Sequence, residues 1–197
     1  MINKKGKDFV RRTANRPGDL YDSPACTLWT LLEKESFHNC LEPAYGNGSL
    51  LKAAPPGMFT YSFDLLKDGT NFLDYNNEWP GDIVTNPPFS SFDRFVTHAK
   101  QIATGRVCMI GKTNFFGCIG RYNSTIWKYL KWVYIFNRYI DYQTPFRTDG
   151  LCHVGNMCTG WFIWDKRYTG DAKIRRLDVS KYAVLGNYKK ELYDNTK

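Results

Sequence analysis

Two adjacent prolines, Pro87-Pro88, follow directly on the apolar run Ile83-Val84-Thr85 and on Asn86. Proline fixes φ and carries no N–H, so the pair can continue neither a helix nor an internal strand. The residue before a proline is pushed out of the α region. The chain must therefore turn rigidly here, with Asn86 held at the end of a short strand. Its side-chain amide and the neighbouring backbone carbonyls can point one way, with the ring of Phe89 beside them. Such a site can grip an exocyclic amine and stack the ring that carries it. The plain alternative is an ordinary loop, because Asn-Pro and Pro-Pro are common in turns.

Strand and helix signals alternate around this turn. Pro24 opens a helical stretch to about residue 37, with Leu28, Leu31 and Leu32 on one face and Ser23 as its N-cap. A strand over 38–42, a short helix over 49–54 and a strand over 58–63 follow. After the strand 83–85, Phe92, Phe95, Val96, Ala99 and Ile102 recur at helical spacing. A strand at 106–110, a helix over 122–131 and strands at 133–136 and 161–164 complete the pattern. The last two strands lack an intervening helix and are expected to pair antiparallel. The fold class is therefore α/β, a mostly parallel sheet with an antiparallel last strand and helices on both faces. Residues 1–18 read as a basic flexible arm, 19–165 as the main domain and 166–197 as a polar C-terminal extension.

The chain has 197 residues and 16% aromatic content, enough for one folded core. No apolar run reaches the ~20 residues that span a bilayer, and the basic start lacks the apolar stretch of a secretory signal. The six cysteines have no CxxC spacing and read as reduced thiols of a cytoplasmic protein. Cys152-His153 with Cys158 could supply zinc ligands, but no second ligand pair has zinc-site spacing, so no metal is expected. The formal net charge is +8 and the pI about 9.1. A polyanionic partner, most naturally nucleic acid, follows from that charge. Lys112, Arg121, Arg138 and Arg147 are candidates to contact it, within or near the loops 112–131 and 142–158.

Four features fall at the carboxyl ends of successive expected strands, the edge where open α/β sheets bind ligands. Glu42-Pro43-Ala44-Tyr45-Gly46-Asn47-Gly48 offers two glycines for a tight turn and close backbone approach. Asp64 can take both hydroxyls of a ribose. Asn71-Phe72 can bond an adenine edge and cover its face. Asn86-Pro87-Pro88-Phe89 is the fourth. Each is weak alone; a lone G-x-G is a common turn, and Asp64 could be only a helix cap. Their order across one α/β unit is what argues against coincidence.

On these residues the sequence resembles the S-adenosylmethionine-dependent DNA adenine-N6 methyltransferases, in the small form carried by bacteriophages and mobile elements and found in restriction-modification. Glu42-Pro43-x-x-Gly46-x-Gly48 matches that family's cofactor loop and Asn86-Pro87-Pro88-Phe89 its catalytic tetrapeptide. Tyr21-x-Ser23-Pro24 resembles the upstream segment that closes over the methionine part of the cofactor, where threonine is commoner than serine. The resemblance covers roughly residues 19–165 and implies a Rossmann-like methyltransferase fold.

The resemblance also implies a mechanism. An adenine is flipped into the pocket, Asn86 and the Pro87 carbonyl accept hydrogen bonds from its N6 amine, and Phe89 stacks on the base. The amine then attacks the sulfonium methyl in line, with positioning supplying much of the catalysis. Glu42 and Asp64 hold the cofactor, and Asn71 and Phe72 meet its adenine, although the family more often has aspartate at the first of these. Related tetrapeptides with tyrosine occur in enzymes that methylate RNA bases or glutamine amides. Phe89 and the basic charge favour a nucleic-acid base, and a catalytically silent nucleic-acid-binding member is the other reading. The chain has little room for a large target-recognition domain, which leaves a partner subunit or homodimer open.

Overall fold

The computed structural model describes residues 22–140, 142 and 157–183. The elements are α1 (Ala25–Leu32), β1 (Cys40–Glu42), α2 (Ser49–Ala53), β2 (Phe59–Ser62), β3 (Ile83–Thr85) and α3 (Phe92–Ile102). They continue with β4 (Val107–Lys112), α4 (Ile119–Tyr122), β5 (Leu130–Phe136), β6 (Thr159–Trp164), β7 (Lys173–Leu177) and α5 (Ser180–Ala183). The strands form one sheet in the order β2-β1-β3-β4-β6-β5-β7. β1 runs parallel to β2 and β3, and β3 parallel to β4. β6 lies antiparallel between β4 and β5, with Met109 opposite Phe162 and Val133 opposite the same residue. The expected mostly parallel sheet with one late antiparallel strand is the sheet that forms.

Strand alternation explains how both faces are covered. Trp161 and Phe162 are neighbours on β6 and point to opposite faces. The Trp161 indole N–H donates to the Thr27 carbonyl of α1 at 2.8 Å. Phe162 and Trp164 point the other way and meet Phe92 of α3, with ring centroids 5.9 and 6.2 Å apart. Helices α1 and α3 therefore pack on opposite faces. Strands buried on both sides read as continuous apolar runs, and Val107 to Ile110 are all buried.

Four local expectations change. The first helix ends at Leu32 rather than near residue 37. Beyond it lie Glu33-Lys34-Glu35-Ser36, which offer nothing to bury, and Glu35 is drawn instead to Arg106 at 2.9 Å and the Tyr134 hydroxyl at 2.6 Å. Ser23 does not cap this helix; Pro24 occupies that position, and the Ser23 hydroxyl is buried without a hydrogen-bond partner among the described residues. The helix expected over 122–131 is replaced by α4, a 3₁₀ turn at Thr125–Trp127 and the start of β5. Tyr129 adopts a left-handed φ of 72°, which a continuing helix excludes. Finally, residues 173–177 of the expected C-terminal extension form β7, which joins the sheet parallel to β5.

Candidate active site

The sheet reverses its winding at β1 and β3. From β1 the chain moves outward to β2, then returns to place β3 on the other side of β1. Ligands of open α/β sheets bind at such a switch point, outside the carboxyl ends of the strands. Glu42 ends β1, and Asn86 follows the last residue of β3.

The glycine turn after β1 is pinned by acids. Gly46 and Gly48 have φ of 58° and 76°, the left-handed region that glycine enters without penalty. The Asp64 carboxylate accepts the Gly46 N–H at 2.9 Å and the Leu66 N–H at 2.8 Å. The end of β2 thereby holds the turn after β1. Asp22 accepts from the Asn47 amide at 2.8 Å and the Ser49 hydroxyl at 3.2 Å, which lays the segment before α1 against the same turn. Ser23 and Pro24 follow Asp22 there, whereas Tyr21 lies outside the described residues.

Glu42 is 1% exposed, and its Oε1 accepts the Ala44 N–H at 3.1 Å. Its Oε2 and the neighbouring Thr85 hydroxyl are buried without a hydrogen bond of normal geometry among the described residues. Burial pushes the Glu42 carboxyl up to about 8; the nearby Thr85 hydroxyl and the Ala44 N–H oppose that rise, and Asp64 adds to it. A neutral carboxylic acid therefore sits at neutral pH beneath the glycine turn.

A cavity of about 440 Å³ opens above these strand ends. Pro43, Gly46, Asp64, Asn71, Phe72, Asn86 and Pro88 line it, so residues far apart in sequence meet at one space. Its size suits a small ligand or cofactor. The Asn71 side chain is turned to its own backbone: its oxygen accepts the Leu73 N–H at 3.2 Å and its amide donates to Asp74 at 2.7 Å. Phe72 is 1% exposed and packs edge-on against His98, with centroids 4.9 Å apart. Glu42, Gly48, Ser23, Pro24, Pro87 and Phe89 do not line the cavity. Ser91, Arg94 and Phe95 of the following 3₁₀ turn and α3 do, as does Leu66. As site residues these escaped the sequence reading, which placed Phe95 only on the packed face of the helix; the position of Arg94 and Phe95 in the helix that follows the double proline is a signal for them.

Pro87 is buried, and Asn86 and Pro88 are half-buried. Phe89 begins a 3₁₀ turn, Phe89–Ser91, leading into α3. Its ring is 5% exposed, less open than expected of a stacking platform. Phe115 and Tyr142 meet it edge-on at 6.4 and 6.1 Å, and the Lys112 ammonium lies 4.8 Å from its centroid. Among the other basic candidates, Arg121 places its Nε 2.7 and 2.9 Å from the two Asp93 carboxylate oxygens and its guanidinium 4.2 Å over Phe115. Arg138 is exposed just past β5. Arg147 and residues 143–156 of the expected loop lie outside the described residues. Among the described residues, no helix is long and apolar enough to cross a membrane.

No family model and no curated protein matches the sequence. Solved structures do match in fold. A protein assigned as a class I S-adenosylmethionine-dependent methyltransferase from Listeria monocytogenes superposes with a TM-score of 0.50 at 11% identity. That match covers 84% of this chain and 68% of the other. The type IIG restriction endonuclease BpuSI superposes with a TM-score of 0.51 at 12% identity, over 88% of this chain. The chain spans only 28% of that enzyme. At such identities the likeness is one of fold, and the fold is the Rossmann-like one of class I methyltransferases.

Proposed function

We propose that the protein transfers a methyl group from S-adenosylmethionine to the N6 amine of adenine in DNA. One observation carries the reading: Asn86 and Pro88 of the Asn-Pro-Pro-Phe turn face the same 440 Å³ cavity as Gly46 and Asp64. An amine-gripping turn and a nucleoside-binding turn thus share one space at the switch point.

The residues suit the cofactor. Gly46 and Gly48 give a turn without side chains for close backbone approach, and Asp64 keeps lone pairs beyond those taken by its two N–H donors. Glu42 lies outside the cavity lining and supports the turn from behind, its Oε1 accepting the Ala44 N–H. When bound, the cofactor supplies a sulfonium-activated methyl group. Asn86 and the carbonyls of the proline turn accept hydrogen bonds from the acceptor amine and orient its lone pair. No strong base is needed, so most of the catalysis is positioning. Phe89 lies outside the cavity lining and is covered by Lys112, Phe115 and Tyr142, so stacking on the adenine requires these contacts to open when the substrate enters.

The charge of the chain supports a nucleic-acid substrate. Residues 94–140 contain eight lysines or arginines and no aspartate or glutamate. The test is incubation with labelled S-adenosylmethionine and unmethylated genomic DNA, followed by nucleoside analysis. N6-methyladenine is the expected product. Label that appears only in RNA or in protein would overturn the substrate assignment, and no cofactor binding by calorimetry would overturn the activity.

A further inference from the structure

Ile119 and Tyr122 are 87% and 80% exposed, the two most exposed large hydrophobic residues among those described. They sit three apart on α4 and so share one face of that short helix. Nothing among the described residues packs on them closely enough to account for their being apolar. Scattered exposed apolar residues are ordinary, but a contiguous apolar face beside a candidate site marks a contact surface. Phe116, 45% exposed, precedes α4 in the chain and is itself fixed by stacking on Trp127 with centroids 4.7 Å apart.

What holds α4 in place is a second and independent observation. Arg121, between the two exposed residues, turns inward to the Asp93 carboxylate in the first turn of α3. Its guanidinium also covers Phe115. Phe115 in turn meets Phe92 at 4.8 Å and Phe89 at 6.4 Å. The exposed face is thereby fixed relative to the Asn-Pro-Pro-Phe turn by a chain of ring and charge contacts. The segment is basic in sequence: from Lys112 to Lys131 there are four basic residues and no acidic one, with Arg121 among them paired to Asp93 of α3. Two apolar side chains presented within a basic, acid-free segment match the interior of a base stack flanked by phosphates, and not another apolar protein surface.

We infer that α4 is a wedge for duplex DNA: Ile119 and Tyr122 enter the base stack where the target adenine leaves it. The inference rests on the reading of the site as an adenine methyltransferase. Removing a base from a duplex costs unpairing and unstacking energy, and side chains that fill the gap offset that cost. Single-stranded DNA carries no such gap. The wedge therefore matters for duplex substrate and much less for single strands.

The experiment compares wild type with the double variant Ile119→Ser/Tyr122→Ala on native and heat-denatured genomic DNA, with N6-methyladenine quantified in each. Both side chains are exposed, so calorimetric cofactor binding and the melting temperature report that the variant is folded. The expected result is a fall of about tenfold in the ratio of native to denatured methylation, since base opening is a step of the duplex reaction alone. An unchanged ratio overturns the wedge and leaves the methyltransferase reading standing. A wild type active on denatured DNA alone also overturns the wedge. A wild type that forms no N6-methyladenine on either substrate takes down the proposed function, and the wedge with it.

Discussion

The two halves of the cavity are built from different interactions. On the glycine-turn side, backbone N–H groups are tied to carboxylates: Gly46 and Leu66 to Asp64, and Ala44 to Glu42. On the proline-turn side, rings and cations predominate: Phe89 against Phe115 and Tyr142, Lys112 over Phe89, and Arg121 over Phe115. Hydrogen bonds are directional, those to the charged Asp64 most of all, and together they fix one geometry. Ring contacts and exposed cation–ring contacts are weaker and tolerate a range of angles. The first half is suited to hold one small molecule in one pose. The second is suited to yield when a large substrate arrives.

The contrast can be broken at several points. Asn86→Ala should have the largest effect, a loss of about a thousandfold in methyl transfer, the scale of removing a positioned polar group. Cofactor affinity, measured by calorimetry, should stay within about twofold. Full turnover in that variant would remove the role given to the proline turn. Next comes Gly48→Val. A Cβ there would meet only Lys52 Cε at 3.8 Å, so the cost is conformational, arising from a φ of 76°. A destabilisation of about 1–3 kcal/mol is expected, with weaker cofactor binding. Unchanged melting and unchanged affinity would show that the glycine turn is not the rigid half.

Glu42 gives a pH test of the same half. Its folded carboxyl titrates near 8, above its ordinary value of 4.5, so folding favours the protonated form. That contribution is fully present below the ordinary value and is lost as pH rises toward 8. The ligand-free protein should therefore melt at lower temperature as pH rises from about 5 to about 8, and Glu42→Gln should flatten that slope. A variant with the wild-type slope would locate the titration elsewhere. Arg121→Ala should have the smallest effect on stability, about 1 kcal/mol or less, because its ion pair is partly exposed. Its duplex methylation should fall several-fold through loosening of α4. A melting temperature lowered as much as in Gly48→Val would mean that the proline side is as tightly built as the other.

What could be read from the sequence, and what could not, follows the same physics. The turns at 42–48 and 86–89 are legible because glycine and proline act through local dihedral angles, which need no knowledge of the rest of the chain. The alternating order of strands and helices is legible from apolar spacing. β7 is not: Lys173, Ile174, Arg175 and Arg176 are all exposed, and the strand is held by backbone pairing to β5. The helix expected over 122–131 fails at Tyr129, whose left-handed φ carries no signal in its residue type. The burial of Phe89 depends on Phe115 and Tyr142, 26 and 53 residues further along the chain. Contacts of that range leave no mark on the tetrapeptide itself. The bonding of Asn71 to Leu73 and Asp74, by contrast, is a short-range capping pattern that the order Asn-Phe-Leu-Asp already contains.

The outermost strand has a consequence for how the molecule behaves in company. Among the described residues β7 is the last strand on its side of the sheet, and it carries Lys173, Arg175 and Arg176, with Lys173 and Arg175 also lying over Trp132. An unpaired strand edge is a template for recruiting strands from other molecules. Two such edges brought together would align like charges a few ångströms apart, with little salt between them to screen the repulsion. At this edge the sheet resists growing into a fibre, so a crowded solution of the protein is guarded there by charge.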